Sequence, residues 1–175
     1  AAKIKFAAPT TLDAFKVVEQ LEGDSTTDFG APSIAPTSDA QPLDEADLRH
    51  FQKLLQSYWR AFDKAVAQAE GKELRKGPRG GGREIDKIME HVSGAEAGYL
   101  ASLAWKAEKQ TTKDPREKLA QTHQAVLDGL AAAARGETPT QGPRGGKVWA
   151  PRYFVRRVAW HVLDHIWEIE DRIIP

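Results

Sequence analysis

Residues 154–169 read FVRRVAWHVLDHIWEI, and their apolar positions recur every three or four residues, which is the spacing of one helix face. His161 and His165 lie on that face, where apolar side chains are expected. Burying an imidazole whose nitrogens lack partners costs about 1–3 kcal/mol. A metal ion removes this cost, because it binds one nitrogen of each ring and leaves the other for a hydrogen bond. The segment therefore predicts a buried helix that carries two metal ligands.

The same apolar spacing recurs along most of the chain and predicts an all-α four-helix bundle. Asp44 is the predicted N-cap of the first helix. The third begins with Asp114 as N-cap, Pro115 at the first helical position and Glu117 at the capping-box position. The predicted helices span residues 44–70, 83–106, 114–136 and 151 to nearly the C-terminus.

The first part of the chain differs from this body. We predict a short N-terminal arm at residues 1–43 and a bundle domain at residues 44–175. Two β-prone pieces, Lys3 to Phe6 and Phe15 to Leu21, lead into a run rich in turn residues. The arm is predicted to be irregular or β-containing and to lie on the bundle. A disordered tail is the competing interpretation, although five apolar side chains indicate that part of the arm packs: Phe6, Phe15, Val17, Val18 and Phe29.

Composition excludes several classes of function. The 175 residues carry 25 basic and 25 acidic side chains and no cysteine. Balanced charge argues against nucleic acid and anionic membrane as partners, despite local arginine clusters. Without cysteine, disulfides, thiolate ligands and a cysteine nucleophile are excluded. No apolar run has the length of a signal peptide or a membrane span, so we expect a cytoplasmic location.

A metal site needs a third ligand, and His91 on the second predicted helix is the best candidate. Its small neighbours Gly94 and Gly98 leave room for an ion and a bound ligand. His123 is the reserve, although a core histidine with one hydrogen bond is the simpler interpretation. Three imidazoles leave coordination positions open, which suits catalysis more than a structural site. The Glu-x-x-His motif of di-iron bundles is absent.

Two carboxylates on the same helices are the candidate catalytic residues. Glu96 and Glu168 are predicted to act as a general base or to hold a ligating histidine. The simpler interpretation is an ion pair with Arg157 or Arg172.

A repeated motif, Gly-Pro-Arg-Gly-Gly, occurs at residues 77–81 and 142–146. Two interpretations stay open. The motif is either a flexible loop composed of common turn residues, or an arginine-bearing loop that binds an anion near a helix N-terminus.

Residues 88–100 and 156–168 resemble the second and last helices of DinB-like (damage-inducible, YfiT-type) four-helix-bundle proteins, and the resemblance covers roughly residues 44–175. It implies an up-down-down-up bundle in which His91, His161 and His165 hold nickel, zinc or iron. It also implies a homodimer, and for some members a transferase or isomerase activity that uses a low-molecular-weight thiol. The N-terminal arm lies outside the resemblance.

We therefore predict a divalent-metal-dependent enzyme that acts on a small-molecule substrate, either a thiol-dependent transferase or a hydrolase. The alternative is a non-catalytic bundle that binds a ligand or a protein. Trp160 and Trp167 favour that alternative in part, because they lie on a different helix face from the histidines and suggest a dimer interface or contact with the arm.

Overall fold

The computed structural model describes residues 7–76, 82–142 and 145–174. Within these ranges the chain forms five α-helices and two 3₁₀ turns and has no strand, which confirms the predicted all-α bundle. Lys3 to Phe6 and most of the two Gly-Pro-Arg-Gly-Gly loops lie outside the described residues. The helices are α1 (Ser25–Asp28), α2 (Glu45–Ala69), α3 (Ile85–Ser102), α4 (Pro115–Ala134) and α5 (Pro151–Arg172).

The long helices begin where the sequence predicts. The Asp44 side chain accepts a hydrogen bond from the backbone N–H of Asp47, at 2.7 Å. Asp114 accepts bonds from the N–H groups of Arg116 and Glu117, at 2.8 and 3.0 Å. These carboxylates satisfy backbone donors that have no partner within the first turn of a helix.

Helix α3 is shorter than predicted, because the chain turns sharply after Ser102. Ala104 has a φ of 59°, and the Trp105 N–H donates back to the Leu100 carbonyl. This left-handed residue and its hydrogen bond end a helix. Periodicity alone does not reveal such a stop, because alanine is otherwise a strong helix former.

The four long helices pack in pairs around one core. Helix α2 lies mainly against α5, and α3 lies mainly against α4 and also contacts α5. At the helix ends, Arg152 of α5 binds Asp47 near the start of α2, and the Trp149 N–H donates to the Ser102 carbonyl. The largest fully buried apolar side chains are Phe62, Phe154, Leu55, Ile88, Leu100, Leu103, Leu130 and Ile169.

The arm contacts the bundle, but not through the side chains predicted to do so. Phe15, Val17, Val18 and Phe29 are exposed, so that prediction was wrong; Phe6 lies outside the described residues. The predicted strand at Phe15 to Leu21 is not formed there. Strand-forming residues need a neighbouring strand to pair with, and the described residues offer only one isolated β-bridge.

Polar contacts hold the later part of the arm on α5. Arg156 donates two hydrogen bonds of 2.8 Å to the buried carboxylate of Asp39. The Tyr153 hydroxyl lies 3.0 Å from the Pro32 carbonyl oxygen and 2.8 Å from that of Ser33. Among the described residues of the arm, the segment 32–39 therefore contacts α5 through these polar groups.

Searched over the described residues, no helix is both long enough and apolar enough to cross a bilayer.

Two helical glycines should respond oppositely to substitution by alanine. A Cβ at Gly94 meets no atom within 4 Å, so Gly94→Ala should raise the free energy of unfolding by about 0.5–1 kcal/mol through helix propensity. A Cβ at Gly129 would lie 2.9 Å from side-chain atoms of Leu100 and Trp105. Gly129→Ala should therefore destabilise the fold. Urea unfolding of both variants measures this, and equal effects would contradict the packing of α4 on α3.

Candidate metal centre

Three imidazoles from two helices converge inside the bundle, as the sequence predicts. His161 and His165 come from α5 and are buried; His91 comes from α3 and is half-buried. The Nε2 atoms of His161 and His165 lie 3.1 Å apart, and those of His91 and His161 lie 3.3 Å apart. All three rings offer a nitrogen within 4.8 Å of the others.

These separations match those of ligands on one cation. Two imidazole nitrogens that each lie about 2.0–2.1 Å from an ion, at angles of about 90–110°, are about 2.8–3.4 Å apart. Both close nitrogen pairs fall in this interval. Two of the three nitrogen pairs therefore have the spacing of ligands on one ion, and the nitrogens of the third pair, His91 and His165, lie within 4.8 Å.

Glu168 fixes the orientation of His165. Its Oε2 lies 2.7 Å from the His165 Nδ1, and its Oε1 accepts a hydrogen bond of 3.0 Å from Arg172. A carboxylate at Nδ1 places the ring proton there and leaves the Nε2 lone pair directed at the other two rings. Glu168 thus contacts both of its predicted partners, a histidine of the site and Arg172.

Hydrogen bonds within the cluster cannot satisfy every ring nitrogen of the three histidines. When neutral His165 donates its Nδ1–H to Glu168, its Nε2 carries only a lone pair. The His161 Nε2 belongs to both close pairs and can either donate to His165 or accept from His91, but not both. One of the two close pairs therefore has no hydrogen bond. The His161 Nδ1 is also buried and has no hydrogen-bond partner among the described residues. Burial, together with His165 and His91, lowers the pKa of His161 to about 3. Neutral imidazoles whose lone pairs face one another are suited to a cation.

Glu96 lies elsewhere, which corrects its predicted role at the histidines. Its side chain is fully buried between α2 and α4, where Oε1 accepts a hydrogen bond of 3.0 Å from the Trp59 indole. Its Oε2 lies 3.5 Å from the Nε2 of His123. Burial raises the pKa of Glu96 to about 8. The carboxyl group makes no hydrogen bond to His91, His161 or His165.

His123, the reserve ligand, is also outside the metal site. Its ring stacks on Trp59 with centroids 4.1 Å apart and an interplanar angle of 13°. Burial lowers its pKa to about 3, so the ring is neutral. His123 is therefore a core histidine, which is the simpler of the two interpretations of the sequence.

A further charged group, which was not predicted as part of the site, borders the histidines. Arg157 lies one helical turn before His161, and three aromatic rings surround its guanidinium. We call these three rings, Tyr99, Trp149 and Trp160, the aromatic cage. The four-residue spacing from Arg157 to His161 was a usable signal, whereas the contact of Arg157 with Tyr99 joins distant parts of the chain.

Comparison with known proteins gives no match to a family model, a curated protein or a solved structure.

Replacing Glu168 with glutamine should weaken divalent-metal affinity by about 10- to 100-fold, because a neutral amide holds the His165 ring less well. Equilibrium dialysis against Zn²⁺ measures the change. Glu170→Gln, an exposed position on the same helix, is the control and should bind like the unmodified protein. Equal affinities for both variants would show that Glu168 does not support the site.

Proposed function

We propose that this protein is a divalent-metal-dependent enzyme whose metal is held by His91, His161 and His165. The observation that supports this is the convergence of three Nε2 atoms, with separations of 3.1 and 3.3 Å, inside a bundle whose core is mainly apolar. Nickel, zinc and iron all accept imidazole nitrogen, so the donor set fits each of them.

The donor set favours catalysis because it is incomplete. Such an ion would have one to three positions left for water, a thiolate or a carbonyl oxygen, and would activate the group bound there as a Lewis acid. The protein's own contribution is to hold the rings. Glu168 orients His165, and the packing of α3 on α5 sets the distance between His91 and His161.

We further propose membership of the DinB-like family, with a thiol-dependent transferase or a hydrolase activity on a small molecule. Contacts at the helix ends support the up-down-down-up order. Arg152 near the start of α5 contacts Asp47 near the start of α2, whereas Arg116 near the start of α4 contacts Glu70 at the end of α2. A homodimer and a cytoplasmic location belong to the same proposal.

A non-catalytic binding role is the second candidate, and a separate cavity favours it. The cavity has a volume of about 710 Å³ and lies between α3, α4 and the segments that follow them. None of the three histidines lines it. Its lining is mainly apolar and includes Ala97, Leu100, Ala101, Trp105, Thr122 and Ala125.

Metal analysis followed by a thiol screen tests the enzyme proposal. The purified protein should retain about one divalent ion per chain after desalting. The loaded protein should then accelerate the reaction of a low-molecular-weight thiol with an electrophile, or the hydrolysis of a small substrate. A chain that binds no divalent ion would contradict the proposal and leave the binding role.

A further inference from the structure

Arg157 differs from the other three arginines of α5. Arg152, Arg156 and Arg172 each pair with a carboxylate, those of Asp47, Asp39 and Glu168 respectively. Arg157 has no acidic partner among the described residues, and its Nε and Nη1 atoms are buried without a hydrogen-bond acceptor. A buried cationic donor without an acceptor is unfavourable, so this guanidinium is incompletely satisfied.

The aromatic cage compensates for this only in part. The Arg157 Cζ lies 5.4 Å from the Tyr99 ring centroid, 5.9 Å from that of Trp149 and 5.4 Å from that of Trp160. Ring faces attract a cation, but they do not offer the paired acceptors that match the fork of a guanidinium. A carboxylate offers two coplanar oxygens and forms two parallel hydrogen bonds with arginine, either with Nε and Nη2, as Asp39 does with Arg156, or with Nη1 and Nη2. Either pair includes one of the two unpaired atoms of Arg157.

The cage adjoins the metal site. Tyr99 lies between the two, with its ring centroid 5.8 Å from that of His161 and the rings nearly perpendicular. Arg157 acts electrostatically on His161, and Arg83 acts on both His161 and His91. Glu168 acts on His91 in the opposite sense, but its two oxygens already contact His165 and Arg172. Arg83 and Arg157 therefore favour an anion beside the site.

The exposed surface of α3 adjoins the site. Tyr99 and His91 are only half-buried, and the exposed residues Gly94 and Gly98 of α3 have no atom within 4 Å of the position of an added Cβ. A small molecule can thus approach His91 and Tyr99 from solvent.

From these contacts we infer that Arg157, together with Tyr99, binds the carboxylate of a small substrate whose other end meets the ion at His91, His161 and His165. This inference rests on the proposed function and narrows its substrate class to short carboxylic acids. Arg157 is a specificity-determining residue in this account, because it selects an anionic substrate over a neutral one of the same size.

Carboxylate binding by Arg157 can be tested with the Co²⁺-loaded protein and two thiols that differ in charge. Mercaptoacetate carries a carboxylate beside its thiol, whereas 2-mercaptoethanol carries a neutral hydroxyl. Neither can form a disulfide with the chain, which has no cysteine. Visible absorption of the cobalt reports thiolate binding without any activity assay. The unmodified protein should prefer mercaptoacetate, and Arg157→Met should reduce that preference by about tenfold or more.

Three variants control for charge and fold. Arg60→Met removes the same charge from an exposed position, where the arginine donates a hydrogen bond to Ser57, and should leave the preference unchanged. Arg157→Lys keeps the charge but loses the fork, so its preference should be intermediate. If Arg157→Met loses its helical circular dichroism, Arg157→Lys and Tyr99→Phe replace it. The inference is overturned if every folded variant of Arg157 and Tyr99 keeps a preference for mercaptoacetate within twofold of that of the unmodified protein.

The metal-free protein separates this inference from the proposed function. Trp149 and Trp160 border Arg157, so carboxylate binding should change tryptophan fluorescence without metal. Failure to bind Co²⁺ would contradict the proposed function. An Arg157-dependent fluorescence response of the metal-free protein to mercaptoacetate would still support the carboxylate site. Bound cobalt with no charge preference would overturn this inference alone. Stronger displacement of mercaptoacetate by inorganic phosphate than by acetate would overturn the assignment to carboxylates.

Discussion

Replacing His161 with alanine should weaken divalent-metal affinity by at least about 100-fold. Its Nε2 is the atom shared by both close pairs, 3.1 Å from that of His165 and 3.3 Å from that of His91. Its loss leaves two imidazoles on different helices. Substitution of a group that only hydrogen-bonds to a metal ligand already lowers metal affinity by about 10- to 100-fold, so loss of a ligand should cost at least as much. Competition with a chromophoric chelator measures the affinity for Zn²⁺ and Ni²⁺.

His50→Ala is the matched control, because His50 is exposed on α2. It should leave metal affinity unchanged. His161→Ala should keep its helical circular dichroism, since the substitution also removes a buried nitrogen, Nδ1, that lacks a partner. Unchanged affinity in a folded His161→Ala variant would rule out the three-histidine site.

Replacing Glu96 with glutamine should stabilise the protein increasingly as pH rises. Burial raises the folded-state pKa of Glu96 from 4.5 to about 8. Below about pH 4.5 the carboxyl is protonated in both the folded and unfolded states and causes no loss of stability. Between about pH 4.5 and 8 the unfolded chain ionises while the folded chain keeps its proton, so stability falls. Above about pH 8 the loss levels off at a magnitude on the order of 3–5 kcal/mol.

Glutamine does not titrate, and its amide can both accept from Trp59 and donate to the Nε2 of His123. Urea unfolding from pH 5 to pH 9 should therefore show a growing difference between Glu96→Gln and the unmodified protein. The low folded-state pKa of His123 lowers the free energy of unfolding of both proteins below about pH 6.5, so this effect largely cancels in the comparison. Glu170→Gln should show no such trend. A pH-independent difference would mean that Glu96 is not held neutral in the core.

Local patterns predicted much of this architecture. The caps at Asp44 and Asp114 and the apolar spacing located the long helices. The four-residue step from His161 to His165 predicted that both rings share one face. These features depend on residues close together in sequence, where helix geometry alone fixes the relation.

Other features depend on backbone conformation or tertiary contacts that local patterns in one sequence do not reveal. Glu96 lies five residues after His91, which places it on another face of α3, towards Trp59 and His123. The end of α3 depends on the backbone conformation of Ala104. The cage around Arg157 combines rings from α3, α5 and the segment before α5. The arm exposes Phe15 and Phe29 because it is anchored instead by Asp39 and by the carbonyls at 32 and 33.

X-ray absorption spectroscopy of the protein loaded with one equivalent of Zn²⁺ tests the metal site most directly. Three imidazole nitrogens at about 2.0–2.1 Å, with at least one further light-atom ligand that is not imidazole, are predicted. An ion bound by fewer than three imidazoles, or zinc lost on desalting, would contradict the convergence of His91, His161 and His165 on one cation.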